Sequence, residues 1–437
     1  MTTIVPALTA PRRARKLATA ELVLDSGLRV LAVRKPGVPI VELRLRIPFL
    51  SARAGHAARA ALLSDTLLTG TQSRDRTGVA IAVQSLGGDL NVGVDADRLL
   101  ISGNVPAANL PALLGVLRDV LTGATYPAAE VEVERDRLVE NLTIARSRAG
   151  VVAGEALGHR LFGAHPYALD LPQPADVRAV TPAQLRRLHT ATVRPDGAVL
   201  VLVGDVTPAR VIERVGSVLA DWTGTVPAGR VPALPVIEPA PFELLDRPGS
   251  VQSSIRMGAP ALRRDDPRYP ALQLANAVFG GYFSSRWTEN IREDKGYTYG
   301  PHSRIDHHAL GSILQLDTDV ATEVTAPALL ETLYELGRIA TLPVTETELE
   351  SVRQYSIGTL ALSTATQSGL ASTLAGLVGA GLDPSWLAEH PVNLMKVGLE
   401  DVGAVAAEFL APTRFLGVVV GDANEVAQPL RAITALS

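Results

Sequence analysis

At 437 residues the chain is too long for one ordinary hydrophobic core, so two domains of roughly 200 residues each are expected. Its 47% hydrophobic content supplies packed cores, while a net charge of -4 gives no electrostatic reason to expect nucleic acid or an anionic membrane as a partner. Cysteine is absent, which removes disulfides, thiolate nucleophiles and cysteine metal ligands together.

Residues 1–19 carry basic side chains without a following apolar core, so they read as an N-terminal extension rather than a secretory signal, and a cytoplasmic address is expected. Lysine occurs only as Lys16, Lys35, Lys295 and Lys396 against many arginines, which points to GC-rich bacterial coding. Strands are predicted at Glu21–Val33 and Val41–Pro48, a helix at about Gly55–Thr69, and further strands around Asp89–Val105. Helices then lead to an apolar strand closing in Val-Gly-Asp at Asp205. The longest apolar runs, Ala198–Val203 and Phe415–Val420, are strand length, well short of the ~20 residues of a membrane span.

The segment VTPAQLRRLHTATVRPDGAVLVLVGD, ending at Asp205, has a counterpart in VGLEDVGAVAAEFLAPTRFLGVVVGD, ending at Asp422, 217 positions later. YPAAEVEVE from Tyr126 and LPVTETELE from Leu342, 216 positions apart, form a second pair in which proline precedes an acidic helix start. Two matches at nearly one offset indicate a duplicated domain. Between the copies, Pro227, Pro232, Pro235, Pro239 and Pro241 forbid a helix and favour an extended connector. The expected organisation is a first domain at 20–225, a proline-rich linker at 226–243 and a second domain at 244–437. Strands mixed with helices without strict alternation predict an α+β fold: two homologous sandwich domains, each a largely antiparallel sheet covered by helices on one face. The other face of each sheet must then meet a cavity between the halves or a partner.

In the second half, FGGYFSSRWTENIREDKGYTYG spans 279–300. It predicts a short helix with a serine near its N-cap, a glycine C-cap at Gly296, and a strand in which Tyr297 and Tyr299 share a face. Gly280 and Gly281 read either as a flexible substrate-lining loop or as a turn between helices. Alone, Arg292 and Tyr299 would pass for a solvated charge and a packed strand residue.

These features in this order resemble the pitrilysin/insulinase family of zinc peptidases, in its smaller bacterial, mitochondrial-processing-peptidase-like branch. The supporting pieces are a helix ending in Gly70-Thr71, an acidic helix near 130–147, HPY at 165–167, the two Val-Gly-Asp strands, and the 279–300 motif, so the resemblance covers nearly the whole chain from about residue 20. It implies two sandwich domains forming a half-clamshell. Active members carry His-x-x-Glu-His ahead of the Gly-Thr and a glutamate on a later helix; histidines at i and i+4 share a helical face and both reach zinc, while the glutamate acts on bound water. The corresponding positions here are Ala61, Ser64 and Asp65, with Asn141 at the later glutamate, one residue after Glu140. No two of the eight histidines are four positions apart, so no other register restores the motif.

The resemblance further implies that Arg292 and Tyr299 hydrogen-bond substrate carbonyls and that the tyrosine stabilises an oxyanion. Some bacterial members divide the labour between a zinc-bearing chain and one retaining only the Arg/Tyr motif. This sequence has the second pattern, which leads to the expectation of a non-catalytic, peptide-binding subunit of a heterodimeric zinc endopeptidase, with no cofactor of its own and zinc in the partner. The alternative is a structural or binding protein that keeps the fold without proteolysis. A different enzyme chemistry lacks support, since no Gly-x-Ser-x-Gly, cysteine or phosphate loop is present.

Overall fold

VLVLVG at 199–204 and LGVVVG at 416–421 show no polar alternation, and every one of these residues is buried. That is the signature of strands covered on both faces, and both strands sit in sheet interiors. The computed structural model describes residues 17–168, 171–226 and 231–437; residues 1–16 of the expected extension and 227–230 of the expected linker lie outside them.

The chain opens with β1 (Thr19–Val23), β2 (Arg29–Arg34), β3 (Ile40–Pro48), α1 (His56–Thr66), α2 (Arg76–Gln84), β4 (Asp89–Val94) and β5 (Arg98–Pro106). It continues with α3 (Leu110–Gly123), α4 (Ala128–Arg146), α5 (Ala149–Phe162), α6 (Pro174–Arg178), α7 (Pro182–Thr192), β6 (Val199–Gly204) and α8 (Pro208–Val218). The second half starts with β7 (Glu243–Asp246), β8 (Gln252–Ala261), α9 (Tyr269–Asn276), α10 (Arg286–Thr288), β9 (His302–His307) and β10 (Ser312–Ala321). It closes with α11 (Thr325–Thr341), α12 (Glu346–Ser363), α13 (Gln367–Gly379), α14 (Trp386–Lys396), α15 (Leu399–Phe409), β11 (Leu416–Gly421) and α16 (Ala423–Arg431).

Among the described residues the strands form two sheets, ordered β1-β2-β6-β3-β5-β4 and β7-β11-β8-β10-β9. Omitting β1, the orders are the same, and in both the only parallel pairing joins the closing Val-Gly-Asp strand to its outer neighbour. The expected single strand over Glu21–Val33 is two strands paired antiparallel. Gly27, at φ 88, turns the chain between them, a conformation that costs glycine little. Helix starts obey local chemistry: Thr181 with Gln184 and Thr345 with Glu348 form capping boxes at α7 and α12.

One face of each sheet carries helices of its own half. The first core draws on residues between Leu28 and Trp222 and the second on residues between Phe242 and Leu430, without exchange. The other faces are covered reciprocally. From the first half, α5 lays Ala153, Leu157 and Leu161 on Leu416, Val418 and Val420 of the second sheet. From the second half, α13 lays Leu370, Leu374 and Val378 on Val199, Val201 and Val203 of the first. Over these strands each half supplies the other's missing layer.

An arginine stands at each crossing, and the first ties it by hydrogen bonds. On β3, Arg44 Nη1 donates to the carbonyls of Leu43 (2.8 Å) and Gly103 (3.3 Å), and its other nitrogens reach Ser372 (3.0 Å) and Ser368 (2.8 Å) on α13. On β8, Arg256 Nη1 donates to the carbonyls of Ile255 (3.0 Å) and Thr318 (3.0 Å). A Cβ on Gly150 of α5 would lie 2.6 Å from Arg256 Nη2, so glycine there lets the crossing helix and this guanidinium approach closely. The HPY segment adds a polar clasp: the Tyr167 hydroxyl donates to Asp97 (2.6 Å), and the Ala309 N–H from the second half donates to the same carboxylate (2.9 Å). Beyond 230 the linker packs Leu234 and Ile237 against the α5 cluster.

Candidate functional site

The first-half positions lie on two packed helices, α1 and α4. Ala61 offers no donor atom, and Ser64 is buried within α1. Asp65 is exposed, and partial desolvation together with the nearby Glu134 carboxylate pushes its pKa up to about 6. On α4, Val131, Glu134, Val139 and Leu142 form the buried stripe, whereas Asn141 and Glu140 are both exposed.

Glu134 escaped the sequence reading. Its signal was a carboxylate on the apolar stripe of a helix, two turns before Asn141. It is held by Arg76 (2.8 Å) and by Arg137 (3.7 Å), and Arg76 also reaches Glu130 (2.8 Å). Guanidinium charge thus neutralises the one buried acid near Asp65. A zinc site needs three or four nitrogen, sulfur or carboxylate donors converging on a point, and no group of three His, Cys, Asp or Glu able to hold a metal occurs among the described residues. The set Ala61, Ser64, Asp65 and Asn141 does not fit zinc.

The histidines have other partners. His56 Nε2 bonds to the Phe49 carbonyl at 2.8 Å, and His189 bridges the Tyr126 hydroxyl (2.7 Å) and the Leu121 carbonyl (2.8 Å). His165 packs edge-on against Tyr167, consistent with an HPY loop that builds structure.

The second-half motif folds differently from the helix and strand expected of it. After α9 the chain widens into a π turn over Ala277–Gly281, and α10 runs into a second π turn over Glu289–Asp294. Turns of this kind are rare and concentrate at functional sites. Ser285 caps α10 by accepting from the Thr288 N–H, and Gly296, at φ 65, ends the segment. Residues 296–301 are irregular and β9 starts only at His302, so Tyr297 and Tyr299 do not share a strand face. Tyr297 packs against the second core, while Tyr299 is 88% exposed.

Gly280 and Gly281 belong to the first π turn rather than to a loop. A Cβ at Gly280 would meet Trp287 Cε3 at 2.8 Å and Ser303 Cβ at 3.1 Å, so this glycine serves close packing. The inner side of the segment is firmly seated: the Trp287 ring stacks on Phe279, and its indole N–H donates to Thr332 (3.0 Å). Arg286 is buried and bidentate on Glu348 (2.6 and 2.9 Å), holding that carboxyl down to about 2. The outer side is open. The Arg292 guanidinium lies 4.4 Å from the Phe283 ring centroid and 5.0 Å from that of Tyr299, and Glu293 holds its Nε at 3.1 Å. Such exposed cation–π contacts contribute about 0.5–1 kcal/mol each, enough to orient the two side chains together. Phe283, 62% exposed, was also missed in the sequence; its signal was an aromatic next to Gly280-Gly281-Tyr282.

A family model described as "Peptidase M16 inactive domain" matches residues 179–355, a span that includes Arg292 and Tyr299. An uncharacterized zinc protease of Mycobacterium tuberculosis is 26% identical over 445 residues, covering 97% of this chain and 99% of the relative. Over nearly its whole length the chain is thus similar to proteins of the M16 peptidase family. A probable inactive metalloprotease of Bacillus subtilis is 29% identical over 144 residues, 32% of this chain and 33% of that protein. Among solved structures, a peptidase M16 inactive domain from Pseudomonas fluorescens superposes with a TM-score of 0.86 at 23% identity, covering 92% of this chain and 98% of that one. The periplasmic protease PqqL from Escherichia coli gives 0.77 at 19% identity, covering 98% of this chain and 49% of that one. The two sheets and their helices are thus the M16 fold. Among the described residues no helix is long and apolar enough to cross a membrane.

Proposed function

We propose that this chain is the non-catalytic, substrate-binding subunit of a heterodimeric zinc metalloendopeptidase, contributing Arg292 and Tyr299 to a composite site whose zinc belongs to a homologous partner. The observation that carries this reading is the outward placement of that pair. Tyr299 and Phe283 flank Arg292 at the surface, on a segment whose inner side is locked by Trp287 and Arg286. Burying apolar area favours covering exposed aromatics, so a rigid display of Tyr, Arg and Phe to solvent is the composition of a binding hot spot. A phenol and a guanidinium supply the donors that peptide carbonyls and an oxyanion need. The donor-poor set Ala61, Ser64, Asp65 and Asn141 supports a reading in which the zinc belongs to the partner and this chain has no cofactor of its own. The expected substrate is a peptide and the expected compartment the cytoplasm.

The test is co-purification with a chain of similar length that bears an intact His-x-x-Glu-His, followed by peptide cleavage. Tyr299→Phe is expected to lower kcat/KM of the pair about 10²–10³-fold, the usual loss for one oxyanion donor; Arg292→Ala is expected to lower it as well. Unchanged values for both variants would remove their assigned roles. A second reading, a binding protein that keeps the fold without proteolysis, draws on a Helicobacter pylori relative named a non-peptidase homolog, 21% identical over 78% of this chain. It predicts that no such partner co-purifies.

A further inference from the structure

A cleft of about 760 Å³ opens between the two halves; Arg292 and Tyr299 are not part of its lining, and its walls are rich in arginine. Its lining includes four guanidiniums, Arg46, Arg98, Arg264 and Arg304, against two carboxylates, Asp97 and Asp306. The carboxylates are already engaged. Asp306 pairs with Arg304 at 2.9 Å, and Asp97 accepts from Tyr167 (2.6 Å) and from the Ala309 N–H (2.9 Å). Arg98 is paired with Asp95 at 2.9 Å, just outside the cleft.

Two cations are left over. Among the described residues neither Arg46 nor Arg264 forms an ion pair. Arg46 spends Nη1 on the carbonyls of Ala375 (2.5 Å) and Gly376 (3.0 Å), and burial with the neighbouring Arg98 holds its pKa down to about 10. The Nε of Arg264 is buried with no hydrogen-bond partner among the described residues. Leaving a buried charged donor unmatched is costly, which makes an orphan of this kind a marker for a missing acceptor. Around Arg264 stand Tyr269, His307 and His390; burial first, and the Arg264 charge next, hold the two imidazoles neutral, down to about 3 and about 4. Their ring nitrogens are already engaged, His307 by Ser312 (2.8 Å) and Tyr269 (3.2 Å) and His390 by Gln273 (2.7 Å), so they line this end without adding charge. Trp386, stacked on His390 at 3.9 Å between ring centroids, gives this end an apolar wall. The volume is in the range of sites that enclose a small organic ligand.

We propose that the cleft between the halves is a second ligand site, which takes the anionic oxygen group of a small molecule, a carboxylate or a phosphate, between Arg264 and Arg46. A carboxylate or phosphate accepts from guanidinium forks in the geometry that these groups favour. The site is complete within one chain and needs no partner, so it stands or falls separately from the composite peptidase.

Isothermal titration of the isolated chain at low salt tests it with inorganic phosphate, with trialanine and with trialanine amide. Binding of phosphate alone assigns the site to phosphate ligands. Binding of trialanine with loss on amidation assigns it to carboxylates. Arg264→Gln and Arg46→Gln are each expected to weaken whichever anion binds by about ten- to a hundredfold, the loss of one charge-assisted hydrogen bond. Arg264→Lys, which keeps the charge without the fork, should retain part of the affinity and serves if the glutamine variant does not fold. Failure of both anions to bind at millimolar concentration, or binding that Arg264→Gln and Arg264→Lys leave unchanged, overturns the proposal.

Discussion

Leu374→Ala is a mutation in the second half whose damage should appear in the first. Leu374 is 3% exposed on α13 and packs on β2 and β6 beside Val201 and Val203. Truncating a buried leucine to alanine costs about 2–5 kcal/mol, the transfer term plus the cavity left behind; about 3 kcal/mol is a central value. With roughly 2.1 cal/mol/K of unfolding entropy per residue, a chain of 437 residues carries about 0.9 kcal/mol/K if it melts as one unit. The expected fall in Tm is therefore only about 3 °C, and hydrogen exchange is the sharper assay. If β6 opens only with the whole molecule, its amides from Val199 to Val203 should lose protection by about 3 kcal/mol, or roughly a hundredfold. The same loss should reach β11 in the second sheet, since α5 and α13 make each sheet depend on the other half. Unchanged protection in β6 with loosening confined to α13 would refute the reciprocal cover as a source of stability.

Asp65→Asn tests the exposed acid on α1. The folded-state pKa of Asp65 lies at about 6, above its ordinary value of 3.8, so the folded chain binds more protons than the unfolded one between those values. Stability attributable to this group is thus present at low pH and lost as pH rises through about 6. The variant should melt higher than the parent at pH 7 and match it near pH 3; an equal difference at both would exclude this origin. Gly280→Ala should destabilise by about 1–3 kcal/mol through overpacking against Trp287 and Ser303, measured by urea unfolding, and a neutral result would show that the π turn can shift.

The duplication and the buried central strands were readable in the sequence because each is local. VLVLVG and LGVVVG state their own burial by lacking polar alternation, and an alanine at position 61 cannot ligate a metal in any fold. The capping boxes of α7 and α12, found in the structure, are local patterns of the same kind. The path from Gly280 to Tyr299 was not readable. A π turn differs from an α turn by one residue per hydrogen-bonded loop, and contacts from Trp287 and Arg286 to distant α11 and α12 decide it. Nor could periodicity tell Tyr297 from Tyr299, because only the chain's course after Gly296 buries one and exposes the other.

What the sequence determined by itself was which faces must be covered and which positions offer no metal donor. Only the tertiary structure decided what covers them. The apolar stripes of α5 and α13 specify that these helices pack, but hydrophobic burial is non-directional; the choice of the opposite half's sheet comes from chain connectivity and from Gly150 and the serines that receive Arg256 and Arg44. The same crossing brings Arg46 and Arg264 to the walls of one cleft, a proximity that no local pattern in the sequence encodes.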